Sequence, residues 1–441
     1  MSILPRPVGK DHDDDDAPGE DDRTGPQVSL DRQVEPEPEA EPEPEADFEP
    51  EFDFEPEIEP EPAAGRRLQP AAPGRRLGVP FSIYAATLVV QLLLIDWLLP
   101  PGTTVRDRLL LWDGQWFVRI AQNGYPTSYV HTDTQITAGA ELAFFPGYPM
   151  LIRLVHAVSP LDYPTSGILA AWLAGAAAAI MVHELSLALW SGRVAGILTA
   201  LVLTQPMSAA LTMAYSESLF IALAAAALLA AYRHHWLLAG VIGCAAGLTR
   251  ATGVAVALAL GVAALIHVAN RDHGGRRWWA LAGAALASLG VPGYVWWVGW
   301  RVGDPDAWFI IQDVGWGTKF DYGKDMVRFV VDTLRRGDGW IQVSVAFMLI
   351  AAVGATLLAL RSRVWPPLVV YGLVALATVL GRPGWFHVKP RLLGPVLLTL
   401  VPAALALARA RPRTAVAVLV GFGLFGLWYG AYMITVWRYA I

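Results

Sequence analysis

From Val194 to Met213 the chain runs VAGILTALVLTQPMSAALTM without one charged side chain. Twenty helical residues rise about 30 Å, the thickness of a bilayer's hydrocarbon core. In that layer a backbone N–H or C=O has no water to bond, so a lipid-exposed run of this kind has to be a helix. Similar runs recur near 79–99, 166–190, 215–231, 236–269, 278–300, 342–360, 364–381, 392–409 and 414–436. The run at 236–269 is long enough for two short helices broken near Arg250. The pattern predicts an all-α polytopic membrane protein with about ten or eleven transmembrane helices. An apolar content of 54% and a mean hydropathy of +0.41 agree with that class. No stretch reads as a convincing strand, and no glycine-rich nucleotide loop follows one. The single cysteine, Cys244, lies in an apolar run, which excludes an intramolecular disulfide and a cysteine metal cluster.

Charge divides the chain. Residues 1–62 hold 23 acidic against four basic side chains, whereas the remainder holds 16 against 29. The acidic part contains HDDDD and then EPEPEAEPEPEADFEPEFDFEPEIEPEP. Proline removes helix donors, like charges repel, and too little apolar surface is present to order the segment. Residues 1–75 are therefore expected to form a disordered cytoplasmic tail, a solvated spacer or an arm for a cytoplasmic partner. The tail has neither the basic start nor the apolar core of a signal peptide. Residues 76–441 are expected to form one transmembrane domain.

Arg66, Arg67, Arg75 and Arg76 precede the first span and place that side in the cytoplasm. NRDHGGRR (270–277), RSR (361–363) and ARPR (410–413) read as further cytoplasmic turns. This order puts 100–165, 302–341 and 382–391 outside, the first as a long loop with interfacial or re-entrant helices, one of them near 143–158. A plasma-membrane location with external chemistry follows. A transporter is expected to carry its polar groups in mid-bilayer on broken helices, and here they gather at one face.

Five stretches carry those groups. WDGQWFVRIAQNGYP (112–126) sets Asp113 among Trp112, Trp116, Phe117 and Tyr125. It predicts a helix from Gly114 to Gln122, closed by Asn123-Gly124, with Asp113 as its N-cap, a functional acid, or both. ELAFFPGYP (141–149) places Glu141 beside Phe144 and Phe145. AYSESLF (214–220) puts Glu217 at the mouth of a span, where a carboxylate needs a partner or a function. GLTRATG (247–253) puts Arg250 inside an apolar run, with Glu217 or a bound phosphate as its counter-ion. GRPGWFHVKPRLLGP (381–395) brings His387, Lys389 and Arg391 to the external side, against the positive-inside bias. A phosphate is the natural ligand for such cations.

The first two motifs together, with AYSESLF and KPRLLGP (389–395) in support, resemble the mannosyltransferase family that includes the enzyme adding the second mannose in GPI-anchor synthesis, the PIG-V class. The shared pattern is Trp-Asp-x-x-Trp-Phe with Ile-Ala and Gly-Tyr shortly after, then Ala-Phe-Phe-Pro-x-Tyr-Pro. The match runs over residues 80–410 and omits the acidic tail. The family occurs in bacteria as well as eukaryotes, so GPI synthesis itself is not implied. The resemblance implies a GT-C-like bundle and an inverting glycosyltransferase using a polyprenyl-phosphate sugar, usually mannose. It also implies an essential acid in the first external loop, matched here by Asp113.

On this reading Asp113 takes the proton, or accepts the hydrogen bond, of the acceptor hydroxyl, and Arg250, Lys389 and Arg391, with His387 behind them, oppose charge on the leaving phosphate. Glu141 and Glu217 hold sugar hydroxyls or orient the other groups, while Trp112, Trp116, Phe144 and Phe145 line the sugar or prenyl site. The expected partners are a polyprenyl-phosphate sugar, membrane lipids, and a glycolipid, polysaccharide or protein acceptor, with no nucleic acid. The residues specify no particular cofactor. Asp113 and Glu141 are compatible with a divalent cation, but no compact ligand spacing demands one. The competing readings are transfer of a different sugar, a lipid or ion transporter with Glu217 and Arg250 as relay, and a non-catalytic membrane scaffold.

Overall fold

The computed structural model describes residues 73–269 and 277–441. The acidic tail expected over 1–75 lies outside these residues apart from its last three positions, and the turn at 270–277 apart from its last. Helix α1 runs Pro73–Trp97 and so begins ahead of the expected span start at 79. Proline at a first helical position removes only an N–H that has no helical partner anyway.

The remaining helices are α2 Val105–Leu109, α3 Asp113–Asn123, α4 Gly147–Ala157, α5 Tyr163–Leu189, α6 Gly192–Thr204, α7 Glu217–Tyr232, α8 Trp236–Gly247 and α9 Gly253–Ala269. They continue as α10 Arg277–Ser288, α11 Gly290–Val302, α12 Ala307–Trp316, α13 Lys324–Arg336 and α14 Trp340–Arg361. The last four are α15 Pro366–Leu380, α16 Lys389–Leu393, α17 Val401–Arg409 and α18 Pro412–Thr435. The protein is thus an all-α molecule with many apolar helices. One short antiparallel hairpin interrupts it: β1 Val130–His131 pairs with β2 Ile136–Ala138, with Val130 opposite Ala138. The sequence reading gave no strand. Two- and three-residue strands are too short to display a period of two.

The expected apolar runs are helical, but their lengths differ. Among the described residues, four helices are long and apolar enough to cross a membrane: α1, α5, α14 and α18. Two bent pairs bring the number to six if each is one span; α10 and α11 meet at 40°, and residues 386–393 meet 397–409 at 79°. Helices α6, α7, α8, α9 and α15 are apolar but shorter. The run that opened at Val194 stops at Thr204. Pro206 forces Gln205 into extended backbone (φ −60°, ψ 157°), Met207 takes φ 68°, and a 3₁₀ turn follows over Ser208–Leu211. The expected break near Arg250 falls between α8 and α9.

Small residues set the helix spacing. Helices α5 and α7 pack closely, and both bury alanines, among them Ala174 and Ala178 on α5 and Ala224 and Ala225 on α7. At the α8–α10 crossing a Cβ on Gly283 would stand 2.2 Å from the carbonyl oxygen of Trp236, so only glycine permits that approach. A separate aromatic and aliphatic cluster ties the first loop to α11 and α12 through Leu142, Phe145, Tyr294, Val298 and Ile311. The loops at 100–165 and 302–341 are therefore packed against each other, and this packing shapes the site.

Candidate active site

Asp113 is the first residue of α3. The residue before it, Trp112, has φ 51°, a left-handed value that costs a bulky side chain about 1–3 kcal/mol. That turn starts the helix directly at the acid. Asp113 is not the N-cap expected from sequence, because Trp112 occupies that place and makes no side-chain cap. A carboxylate in the first turn still gains from the helix dipole. Phe117, Val118, Ile120 and Ala121 bury the inner face of α3, and Arg153 Nε donates to the Ala121 carbonyl at 2.6 Å near its C-terminal end.

The acid is the first member of a chain of alternating charges. Arg391 Nη1 is 2.8 Å from Asp113 Oδ2, and Arg391 Nε is 3.2 Å from Glu217 Oε1. Arg250 Nη1 is 2.8 Å from the same Glu217 oxygen and donates to Ser216 Oγ at 2.9 Å. The Arg391 guanidinium also lies 5.0 Å from the centroid of the Tyr215 ring. The side chains of Glu217 and Arg391 are only 2% and 8% exposed. The Arg391 approaches are ion pairs whose angles fall short of aligned hydrogen bonds, so charge rather than directionality holds them. Opposite charges packed this closely stabilise one another once buried, and removing one leaves the others uncompensated.

Asp113 opens onto a cleft of about 690 Å³. Its walls come from places where helices begin, end or break. They are the start of α3, the turn at 143–145, the α8–α9 break, α12 with residues 316–320, and the segment from Thr378 to Leu392. The charged side chains on the wall are Asp113 and Asp313 against Arg250, Lys319, Arg382, Lys389 and Arg391, an excess of cations even after Glu217 is counted. Lys319 is 3.8 Å from Asp313. Lys389 is buried and gives its Nζ to the carbonyls of Val379 at 3.0 Å and Arg382 at 2.5 Å. Burial, reinforced by Arg250 and Arg391, lowers Arg382 to about 10, so it is still a cation at neutral pH.

Aromatic rings form the other wall. Phe144 stacks on Trp116 (6.0 Å) and meets Phe117 (5.2 Å) and Trp316 (5.5 Å) edge-on. Phe145 packs on Tyr294 at 4.6 Å and on Trp308 at 5.9 Å. The turn bearing them is fixed by its backbone. Tyr125 and Tyr294 each donate to the Phe144 carbonyl at 2.7 Å, and Gln312 Nε2 donates to the Ala143 carbonyl at 3.0 Å. Gly147 N donates to the Leu248 carbonyl at 2.8 Å, and a Cβ on Gly147 would stand 2.4 Å from Thr249 Oγ1. Glycine at 147 thereby joins the FFPGYP turn to the break that carries Arg250.

Of the residues singled out in sequence, the structure brings Asp113, Arg250, Lys389, Arg391, Phe144 and Phe145 to one cleft, with Glu217 behind Arg250 and Arg391. Four lie elsewhere. Glu141 pairs with Arg119 at 3.4 Å, and Arg119 in turn covers Trp116 at 4.7 Å. Trp116 stands behind Phe144, and Trp112 packs against the main core. His387, on the 3₁₀ turn Phe386–Val388, is buried among Trp385, Phe386, Trp437 and Tyr439, outside the lining of the cleft. Asp113 and Glu141 each have their own arginine, and no group of three or more metal-ligating side chains occurs among the described residues. Sequence reading missed Arg382, Thr318, Lys319, Trp308, Gln312 and Trp316. Only Arg382 had a visible signal, since it stands within the stretch that supplied Lys389 and Arg391.

Fold and site together define an all-α protein, with helices fit to cross a membrane and a cationic cleft that has Asp113 at its edge. No family model matches the chain, and no curated protein matches it. Similar solved structures include ArnT from Cupriavidus metallidurans bound to undecaprenyl phosphate, at 16% identity and TM-score 0.49, over 80% of this chain and 64% of that one. The same protein in its apo state gives 17% identity and TM-score 0.48, over 77% and 61%. The archaeal oligosaccharyltransferase AglB from Archaeoglobus fulgidus, in complex with an inhibitory peptide and a dolichol-phosphate, gives 13% identity and TM-score 0.41, over 80% and 55%. This chain thus spans less than two thirds of the length of each.

Proposed function

We propose that the protein is an integral-membrane, inverting glycosyltransferase. It moves a sugar, mannose on the strength of its motifs, from a polyprenyl-phosphate donor to a hydroxyl of a glycolipid, polysaccharide or protein at the outer face of the plasma membrane. The observation that carries this reading is the placement of Asp113 at the edge of a cleft where cations outnumber acids. A base has to meet the acceptor hydroxyl while positive charge meets the departing phosphate, and one cleft offers both. The motif resemblance supplies the sugar and donor class.

In the proposed reaction the acceptor oxygen attacks the anomeric carbon. The carbon–oxygen bond to phosphate breaks with its electron pair on the phosphate oxygen, and the hydroxyl proton passes to Asp113. Arg391 holds the Asp113 carboxylate in place, and Glu217 with Arg250 holds Arg391. Phe144, Phe145, Trp308 and Trp316 provide flat apolar surfaces for the sugar face or the first isoprene units. A transporter relay through Glu217 and Arg250 is less well supported, because both groups are already engaged with each other and Arg391 binds Glu217 as well.

The test is incubation of purified protein with radiolabelled polyprenyl-phosphate mannose and a membrane lipid extract, beside a parallel reaction with a nucleotide sugar. Label should enter the acceptor fraction only from the lipid-linked donor. Consumption of the nucleotide sugar with no use of the lipid donor overturns the donor class.

A further inference from the structure

The cations of the cleft are not equally available. Arg391 is held by Asp113 and Glu217, Arg250 by Glu217 and Ser216, Lys319 faces Asp313, and Lys389 spends its ammonium on two carbonyls. Arg382 differs. Among the described residues no carboxylate lies within ion-pair distance of it, and its one side-chain hydrogen bond there runs from Nη2 to Thr318 Oγ1 at 2.9 Å. A guanidinium carries five N–H donors, so most of this fork is unused in a half-buried position on the cleft wall.

Its surroundings fix it there. The Arg382 carbonyl binds Lys389 Nζ, and the neighbouring Gly381 carbonyl accepts from Asp321 N at 2.8 Å. Thr318 is on the segment between α12 and α13, opposite the segment that follows α15. Thr318 Oγ1 accepts from Arg382, which leaves its own O–H free to donate. A half-buried guanidinium with unused donors, beside a hydroxyl with a donor to spare, is matched to a multi-oxygen anion. The fork suits two oxygens of one phosphate.

We propose that Arg382 and Thr318 form the phosphate-binding site of this cleft, while Arg391 and Arg250 position the two acids and do not grip the phosphate. The proposal rests on the glycosyl-transfer reading above and assigns its phosphate ligand. As the anomeric carbon–oxygen bond breaks, the phosphodiester monoanion becomes a monoester dianion. Arg382 receives that added charge while the acceptor's proton goes to Asp113, so charge and atoms balance within the two substrates and the acid. Lipid phosphate and free phosphate share this chemistry, and the experiment separates them.

Binding of farnesyl phosphate, farnesol and inorganic phosphate is to be measured on the full chain in detergent. The wild type should bind farnesyl phosphate at least about tenfold more tightly than farnesol, the effect of one or two charge-assisted hydrogen bonds. R382Q should bring the two close to parity, R382K should restore part of the preference, and T318V should reduce it about threefold. Inorganic phosphate should compete with farnesyl phosphate in the wild type and not in R382Q. Competition by inorganic phosphate as strong as by the lipid supports the phosphate site and overturns its lipid source. A wild type with no preference for phosphate over alcohol defeats the donor reading itself. A preference that survives intact in R382Q overturns only the assignment to Arg382. Should R382Q lose its thermal transition, an unchanged preference in T318V overturns it instead.

Discussion

Arg391 joins Asp113 across most of the chain: Nη1 of an arginine in α16 lies 2.8 Å from Oδ2 of the acid that starts α3. The pair closes the cleft between the first loop and the C-terminal helices, and the side chain of Arg391 is 8% exposed. Its loss leaves Asp113 without its cation and Glu217 with Arg250 alone. R391Q should cost about 3–5 kcal/mol of stability, the range for breaking a buried pair, and should abolish transfer. Thermal unfolding in detergent and label transfer check this, and a transition unmoved by R391Q contradicts it.

Glu217 and Arg250 should behave as one unit. A double-mutant cycle of E217Q and R250Q should give a coupling of about 0.5–3 kcal/mol, because the 2.8 Å contact is shared. Additive single effects would show that the pair contributes nothing by contact.

Glu141 predicts the opposite. Its partner Arg119 is 51% exposed and the contact is 3.4 Å, so the pair is worth about 0–1 kcal/mol. E141Q should keep transfer within about tenfold of the wild type, since about 1.4 kcal/mol corresponds to tenfold. A loss of a hundredfold or more would return Glu141 to the site as a sugar ligand.

Gly147 tests the rigidity of the aromatic wall. A Cβ there meets Thr249 Oγ1 at 2.4 Å and the Leu248 carbonyl at 3.0 Å. G147A should destabilise by about 1–3 kcal/mol, as overpacking does, and T249A should recover part of it. Full stability in G147A would mean that the turn does not sit against Leu248 and Thr249.

Much of this was legible in the chain because unusual residues stand in unusual places. Arg250 marked its helix break, as a cation within an apolar run must be engaged by something. Asn123-Gly124 marked the end of α3, and Gly124 indeed takes φ 78°. Asp113, Arg391, Phe144 and Phe145 were legible as motifs. Pairings were not, because they depend on how distant segments register in space. Nothing local links Arg119 to Glu141, or makes Arg391 rather than Lys389 the partner of Asp113. His387 was misplaced because ring direction in a three-residue turn is set by tertiary packing. Arg382 was passed over although it lay in the quoted stretch, since only the fold reveals that its neighbours' charges are already engaged. The short α6 was readable in principle from Pro206, but apolar content alone concealed it.

The central claim is that Asp113 takes the acceptor's proton. The most direct measurement is the single-turnover transfer rate of D113N beside the wild type, with donor saturating and both proteins showing the same thermal transition. Loss of a positioned general base should lower the rate about 10²–10⁴-fold. A rate for D113N equal to that of the wild type would contradict the account.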